Sequence, residues 1–276
     1  MNVLRVFPRK TSMTPNDVYA FIGDPPLWRP RADEVHISCT FTWDIEEAKR
    51  LRDAWGQYYP IVKLGGPAIS PIYNDPYRQF TPGKYVKNGI TFTTRGCNNE
   101  CPWCLVPERE GKLIEIKNFA PGHIVQDNNL LQASRSHLRS VFGMLKAQRR
   151  KVTLSGGLDA RLIDDWVAEE LRGLRIKEIF LAADTEAALV PLRRAVVKLS
   201  FLSRRQLRCY VLIAYRGETV SKAEERLEAV WQAGCLPFAQ LYQPSDRYID
   251  YPSDWKALAR TWCRPAAMFA LHNSQH

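Results

Sequence analysis

Residues 93–104 read Thr93-Thr-Arg-Gly-Cys97-Asn-Asn-Glu-Cys101-Pro-Trp-Cys104, directly after a strand-like run at 86–93. Three of the chain's seven cysteines therefore lie close together on one short segment. Thiolates are soft ligands, and three of them on one loop can reach three corners of a cubane iron–sulfur cluster. One iron would then keep an open coordination position, which a metal centre needs in order to bind a substrate.

A zinc site is the alternative for the same three thiols. Zinc would need a fourth ligand, which His123 or His137 could supply, because sites with three cysteines and one histidine exist. However, zinc ligands usually come as two pairs, and no second pair follows Cys104. The odd number of cysteines also argues against a disulfide framework. The ligand spacing alone does not decide whether the three thiols hold an iron–sulfur cluster or zinc.

Outward from this segment, apolar strand-like runs alternate with amphipathic helical stretches. The strand-like runs lie at 86–93, 123–126, 152–154, 178–183, 208–214 and 238–242, and the helical stretches at 133–149, 159–172, 186–201 and 220–233. Such alternation favours a parallel sheet with right-handed crossovers. Six strands are too few for a closed eight-stranded barrel. The sequence therefore predicts an α/β fold with a six-stranded partial (β/α) barrel, whose site lies at the carboxyl ends of the strands.

A small α/β N-terminal unit is expected to precede the barrel. Strand-like runs at 3–6, 34–41 and 59–64 accompany a helical stretch at 45–55. Residues 68–84 are rich in proline and lack periodicity, which is typical of a connection. We therefore expect three regions, namely the N-terminal unit at 1–80, the partial barrel at 81–245 and a C-terminal helical tail at 246–276.

Composition and charge place limits on the location and the partners. The chain is 45% hydrophobic and 25% charged, and no run approaches the roughly 20 apolar residues that cross a membrane. The first residues lack the apolar region of a secretory signal, so we expect a cytoplasmic protein without a membrane partner. The net charge of +10 favours a nucleic acid as partner. The basic residues are spread over 149–152, 192–194 and 203–208, so a merely basic surface is the alternative.

The spacing Cys-x3-Cys-x2-Cys, with an aromatic residue directly before the last cysteine, resembles the cluster loop of the radical S-adenosylmethionine superfamily. The resemblance covers residues 85–243, and the six-stranded partial barrel of that family matches the six strand-like runs. It implies that Cys97, Cys101 and Cys104 hold a [4Fe–4S] cluster and that Trp103 lies beside the adenine of S-adenosylmethionine. It also implies reductive cleavage of S-adenosylmethionine to a 5′-deoxyadenosyl radical, with electrons from a reductant such as flavodoxin or ferredoxin.

The segment Ser155-Gly156-Gly157 resembles the glycine-rich turn with which this family meets the methionyl amino group. Glycines at such a turn let backbone carbonyls approach a ligand without an intervening Cβ. The family often has an acid directly after the two glycines, whereas this chain has Leu158 and only then Asp159. From the residues alone, the same glycines predict a strand-to-helix turn.

Polar residues after other predicted strands complete the candidate cofactor site. Asp127 and Asn129 follow the second strand of the predicted barrel, and Asp184 follows the fourth. The resemblance makes Asp184 a candidate for the ribose hydroxyls, and Ile213 to Gly217 candidates for the adenine edge. Each of these residues could instead be a helix cap or a turn residue.

Two further questions are whether the N-terminal unit binds cobalamin and which class of substrate the protein uses. Residues 61–67 resemble part of the cobalamin-binding-like domains that precede some radical S-adenosylmethionine barrels. The Asp-x-His-x-x-Gly segment that binds cobalamin in such domains does not occur, so we expect no cobalamin. The charge favours a nucleic acid or nucleotide-like substrate, with a peptide or a small molecule as alternatives. A zinc-stabilised nucleic-acid-binding module without catalysis is the competing function.

Overall fold

The computed structural model describes residues 2–69, 81 and 83–273. The chain forms two compact units, the first from residues 1–90, 108–111 and 244–248 and the second from 91–107, 112–243 and 249–276. Most of the predicted connection at 68–84, including residue 80 where the first predicted region ends, lies outside the described residues. None of the described helices combines the length and the apolar character needed to cross a bilayer.

The first unit is a small parallel sheet with one helix. In chain order its elements are β1 (Val3–Phe7), β2 (Ala20–Ile22), β3 (Glu34–Ser38), α1 (Ile45–Gly56) and β4 (Val62–Gly65). The strand order is β2-β1-β3-β4, and all three pairings are parallel. Leu4 and Val6 of β1 pack with Leu51 and Trp55 of α1 in one buried cluster. The short strand β2 has no counterpart in the sequence prediction, because three residues are too few to show a period of two.

The remaining elements follow in chain order. The strands are β5 (Ile90–Thr91), β6 (Thr94–Arg95), β7 (Ile114–Glu115), β8 (Ile124–Val125), β9 (Val152–Leu158), β10 (Ile176–Ala182), β11 (Leu207–Ile213) and β12 (Leu236–Leu241). The helices are α2 (Val106–Glu110), α3 (Arg135–Lys146), α4 (Asp165–Arg172), α5 (Leu189–Lys198), α6 (Val220–Gln232), α7 (Ser253–Cys263) and α8 (Pro265–Asn273).

Six of these strands form one parallel sheet in the order β12-β11-β10-β9-β8-β5. All six predicted strands therefore lie in this sheet, and helices α3 to α6 alternate with them as predicted. Strands β6 and β7 pair antiparallel in a separate two-stranded sheet. The α/β class and the six-stranded parallel sheet are confirmed, whereas the partial-barrel shape stays a prediction.

Side chains from the sheet and the helices share one core in the second unit. Along β11 the alternate residues Leu207, Cys209, Val211 and Ile213 are buried in it, which is the period of two expected for a strand. Helices α7 and α8, in the predicted tail, contribute Leu258, Trp262 and Met268 to the same core. Burial raises the pKa of Cys235 to about 12 and holds that of Cys209 well above its usual value, so both thiols stay neutral.

Candidate cofactor site

The cysteine loop, residues 96–105, begins directly after β6. Cys97 and Cys101 are partly buried, Cys104 is exposed, and none of the three forms a disulfide. The Cys104 N–H donates to the Cys101 carbonyl at 2.9 Å, which closes a turn with Pro102 at its second position. Proline presets the backbone angle for that position, so the sequence itself brings Cys101 and Cys104 together.

The first half of the cysteine loop is tied to the ends of β8 and β9. The Asn98 N–H donates to Gln132 Oε1 at 2.8 Å, and Gln132 Nε2 donates to Asn99 Oδ1 at 3.0 Å. Asn99 Nδ2 in turn donates to Asp159 Oδ2 at 3.2 Å. Although burial alone would raise it, the pKa of Asp159 lies below its usual value because Arg161 and Asn99 hydrogen-bond to the carboxylate. The acid after the glycines thus holds the cysteine loop.

The second half of the cysteine loop meets the ends of β10 and β11. The Asp184 carboxylate accepts from the Leu212 N–H at 2.8 Å, and the Trp103 side chain acts to lower the pKa of the same carboxyl. The Tyr215 hydroxyl donates to the Pro102 carbonyl at 3.1 Å, and its ring lies edge-on to Trp103 with centroids 5.6 Å apart. Burial raises the pKa of Asp184. Two of the predicted cofactor residues, Trp103 and Asp184, therefore interact.

Asp127 anchors the backbone just before the cysteine loop. Its side chain is only 2% exposed. One carboxylate oxygen accepts from the Thr93 N–H at 2.6 Å, and the other accepts from the Thr93 hydroxyl. Burial raises the pKa of Asp127, while these hydrogen bonds act in the opposite direction. The Asp127 carboxylate is thus engaged in positioning the start of the loop.

We expect Thr93→Val to destabilise the protein by about 1–3 kcal/mol, because Asp127 would lose a donor inside a buried site. The folded-state pKa of Asp127 is raised, so above the usual pKa of an aspartate the ionised carboxylate makes the folded protein less stable. The hydrogen bonds from Thr93 offset part of this loss. The deficit of the variant should therefore shrink in acid. Urea unfolding at several pH values measures it, and Thr93→Ser, which keeps the donor, serves as control. A deficit independent of pH would contradict the assignment.

Asn129 carries a buried acceptor without a partner. The side chain is 5% exposed, and its Nδ2 lies 4.0 Å from Cys97 Sγ. Its Oδ1 has no hydrogen-bond partner among the described residues. A buried amide oxygen is normally satisfied, and leaving it unpaired is costly. A ligand that brings an N–H or ammonium group to this point would satisfy it.

The two glycines lie inside β9 rather than in a turn after it. From Leu154 to Leu158, β9 advances four residues while β10 advances two, from Ile179 to Leu181, so the glycines form a bulge. A Cβ on Gly156 would lie 1.6 Å from the Asp127 carbonyl oxygen, and Gly157 has a φ of +97°. Only glycine fits either position. The sequence predicted an unusual backbone conformation here. It did not predict the cause at Gly156, which is the close approach of the Asp127 backbone.

Ser155 connects the bulge to two other strands. Its hydroxyl hydrogen-bonds to the Gln126 side chain, and its carbonyl accepts from the Tyr210 hydroxyl at 2.7 Å. Burial raises the pKa of Tyr210 to about 12, so the phenol remains a donor. The predicted residue Ser155 is therefore part of the support of the bulge.

The loop after β11 is held in a strained conformation. Ala214 and Arg216 have positive φ angles of 64° and 50°, which residues other than glycine rarely adopt. Glu218 Oε2 accepts from the Ala214 N–H at 2.9 Å, and Arg226 pairs with Glu218 while donating to the Leu212 carbonyl at 2.6 Å. Glu218 and Arg226 are functional candidates that sequence reasoning missed, because no local pattern marks their pairing.

The two remaining predicted residues, Ile213 at the end of β11 and Gly217 in the loop, differ in what they offer a ligand. Gly217 has a φ of +73° and open space where a Cβ would stand. Ile213 is fully buried, and its carbonyl accepts from the Tyr242 N–H at 3.0 Å. The Ile213 side chain therefore belongs to the core.

Three thiols on one loop are the donor type that iron–sulfur clusters take. Within residues 2–69, 81 and 83–273, no three His, Cys, Asp or Glu side chains converge to hold one metal ion. His123 lies at the opposite end of β8, and His137 packs against Phe119. Neither proposed zinc histidine has a described contact with a cysteine of the loop.

The other two cysteines of the loop affect the pKa of Cys101. Its pKa is raised by burial and also by the nearby charges of Cys104, Asp184 and Cys97. The three cysteines therefore share one electrostatic environment, together with the acid that interacts with Trp103.

The chain is similar in structure to a radical S-adenosylmethionine methyltransferase, TsrM from Kitasatospora setae. The structure of TsrM with cobalamin and a [4Fe–4S] cluster bound matches with a TM-score of 0.59 and 12% sequence identity. The match covers 87% of this chain and 74% of that chain. With tryptophan substrate and the analogue aza-SAM bound, the values are the same except for 72% of that chain. No protein-family model and no curated protein matches. What the chain shares with TsrM at this identity is the fold.

Proposed function

We propose that this protein is a radical S-adenosylmethionine enzyme with a [4Fe–4S] cluster on Cys97, Cys101 and Cys104. One observation carries the proposal: a loop with three cysteine thiols interacts with residues that follow β8, β9, β10 and β11. That edge holds the carboxyl ends of the parallel strands, where such folds place their sites. The fold similarity to TsrM, whose structures contain a [4Fe–4S] cluster and a SAM analogue, supports the proposal.

The residues of this edge would divide the binding of S-adenosylmethionine among them. Asn129 offers its unpaired Oδ1 to the amino group, and the backbone at Gly156 and Gly157 is free of Cβ atoms. Trp103 and Asp184 together present an aromatic face and a carboxylate for adenine and ribose. When bound, the cluster would supply an electron for the cleavage of S-adenosylmethionine to methionine and a 5′-deoxyadenosyl radical, and that radical would abstract a hydrogen atom from the substrate.

Partners and further cofactors remain predictions. We propose a reductant such as flavodoxin or ferredoxin, and a nucleic acid or nucleotide-like substrate in preference to a peptide or a small molecule. Cobalamin is present in TsrM. The missing Asp-x-His-x-x-Gly segment still predicts a reaction without cobalamin here.

The test is anaerobic reconstitution with iron and sulfide, followed by dithionite and S-adenosylmethionine. We expect about four irons per chain and 5′-deoxyadenosine by mass spectrometry. Replacing Cys97, Cys101 and Cys104 together by alanine should abolish both. Cys263→Ala, a thiol outside the loop, is the control and should retain them.

Two outcomes would contradict the proposal. Stoichiometric zinc with no iron would favour the zinc-stabilised binding module instead. A cluster that forms without any S-adenosylmethionine cleavage, in the presence of nucleic-acid, peptide and amino-acid substrates, would indicate a cluster with another role.

A further inference from the structure

The amino-terminal edge of the six-stranded sheet gathers basic segments that are far apart in the sequence. The Val152 N–H, at the start of β9, donates to the Arg175 carbonyl at 2.8 Å. The Ile179 N–H of β10 donates to the Gln206 carbonyl at 2.8 Å, just before β11. The segments 149–151, 175–177 and 204–206 are therefore neighbours. We define the basic edge by its exposed cations Arg149, Arg150, Lys151, Arg175, Lys177 and Arg205.

The basic edge is poor in counter-charges. Lys177 lies 3.4 Å from Glu178. No other carboxylate of the described residues forms an ion pair with a member of the basic edge. The pKa of His123, the residue before β8, is lowered by burial and then by the charges of Arg150 and Lys177. Arg150 and Lys177 are 27 positions apart in the chain, yet both are close enough to His123 to lower its pKa.

Helix dipoles do not account for these cations. A basic residue in the last turn of a helix is stabilised by the macrodipole. Lys146, Arg172 and Lys198 already occupy those positions in α3, α4 and α5. Each of the three is also paired with a carboxylate. The cations of the basic edge come after these helix ends and are additional to them.

We propose that the basic edge binds the phosphate backbone of a nucleic acid. Neighbouring strands are about 4.8 Å apart, so cations that precede successive strands form a row that can follow a line of phosphates. Arginine and lysine are the residues that make such contacts. A strand of seven residues is roughly 23 Å long, and the cysteine loop lies at the other end of the strands. The basic edge would therefore anchor a polynucleotide and would not present the reacting group.

The test is fluorescence anisotropy of a labelled 20-nucleotide single-stranded RNA at several salt concentrations. The matched variants carry Arg150→Glu, Lys151→Glu and Arg205→Glu, or, as control, Arg193→Glu, Arg194→Glu and Lys222→Glu. All six positions are exposed, and both triple variants change the net charge equally. Circular dichroism checks that both are folded. The binding requires neither cluster nor S-adenosylmethionine, so its outcome is separate from that of the proposed function.

We expect the basic-edge variant to bind RNA at least about tenfold more weakly near 0.1 M salt, and its salt slope to fall by about 2, for three lost phosphate contacts. The control should stay within about threefold of the unmodified protein. Equal losses in both variants, or no binding by the unmodified protein at low salt, would overturn the proposal. Tighter binding of polyglutamate than of RNA would also overturn it, because the edge would then fit an acidic protein.

Discussion

Gly156→Ala is expected to destabilise the protein by about 3 kcal/mol and to prevent loading of the cluster. The new Cβ would lie 1.6 Å from the Asp127 carbonyl oxygen, so β9 and the segment directly after β8 would have to separate. Asp127 holds Thr93 through two hydrogen bonds, and Thr93 precedes the cysteine loop by three residues. The displacement would therefore reach the cysteines. Urea unfolding measures the stability, and iron content after reconstitution measures the loading.

Gly143→Ala is the matched control for this substitution. Gly143 lies on α3 with open space where the Cβ would stand. Alanine there should stabilise the protein by about 0.5–1 kcal/mol, because it restricts the unfolded chain and favours the helix. If Gly156→Ala were as well tolerated as Gly143→Ala, the close approach of the two strands would be wrong.

Arg226→Ala is expected to destabilise the protein by about 3–5 kcal/mol, since it leaves Glu218 largely buried without its partner. The side chains of the pair are only 11% and 12% exposed. Glu218 also holds the Ala214 N–H, and this contact helps to keep the loop after β11 in its strained conformation. Tyr215 on that loop contacts Pro102 and Trp103, so we also expect weaker S-adenosylmethionine binding, measured by equilibrium dialysis of the reconstituted protein.

Arg172→Ala removes an ion pair of the same type from the surface. Arg172 and Glu169 are 52% and 69% exposed, so the loss should be below about 1 kcal/mol. Similar losses for Arg172→Ala and Arg226→Ala in urea unfolding would show that the Glu218 pair is no more than a surface contact.

The predicted site residues show where local reasoning ends. Asp127 is a candidate because it follows a strand, yet its carboxylate is engaged by Thr93, 34 positions earlier. Asp159 holds Asn99 across 60 positions. Neither pairing can be seen in a local stretch of sequence, because the two partners are far apart in the chain and the residues between them do not determine it. For the same reason Gln132, which pairs with Asn98 and Asn99, carries no signal in the sequence.

The sequence by itself determined the alternation of strands and helices and the position of three thiols on one short loop. Periodicity and ligand spacing are local properties, so the six strands and the cysteine loop could be located from the residues alone. Only the tertiary structure decided which side chains meet. The register of the parallel sheet joins the cysteine loop to four strand ends and collects the dispersed basic segments at the opposite edge. That register results from many contacts between distant segments acting together, which no single stretch of the chain contains.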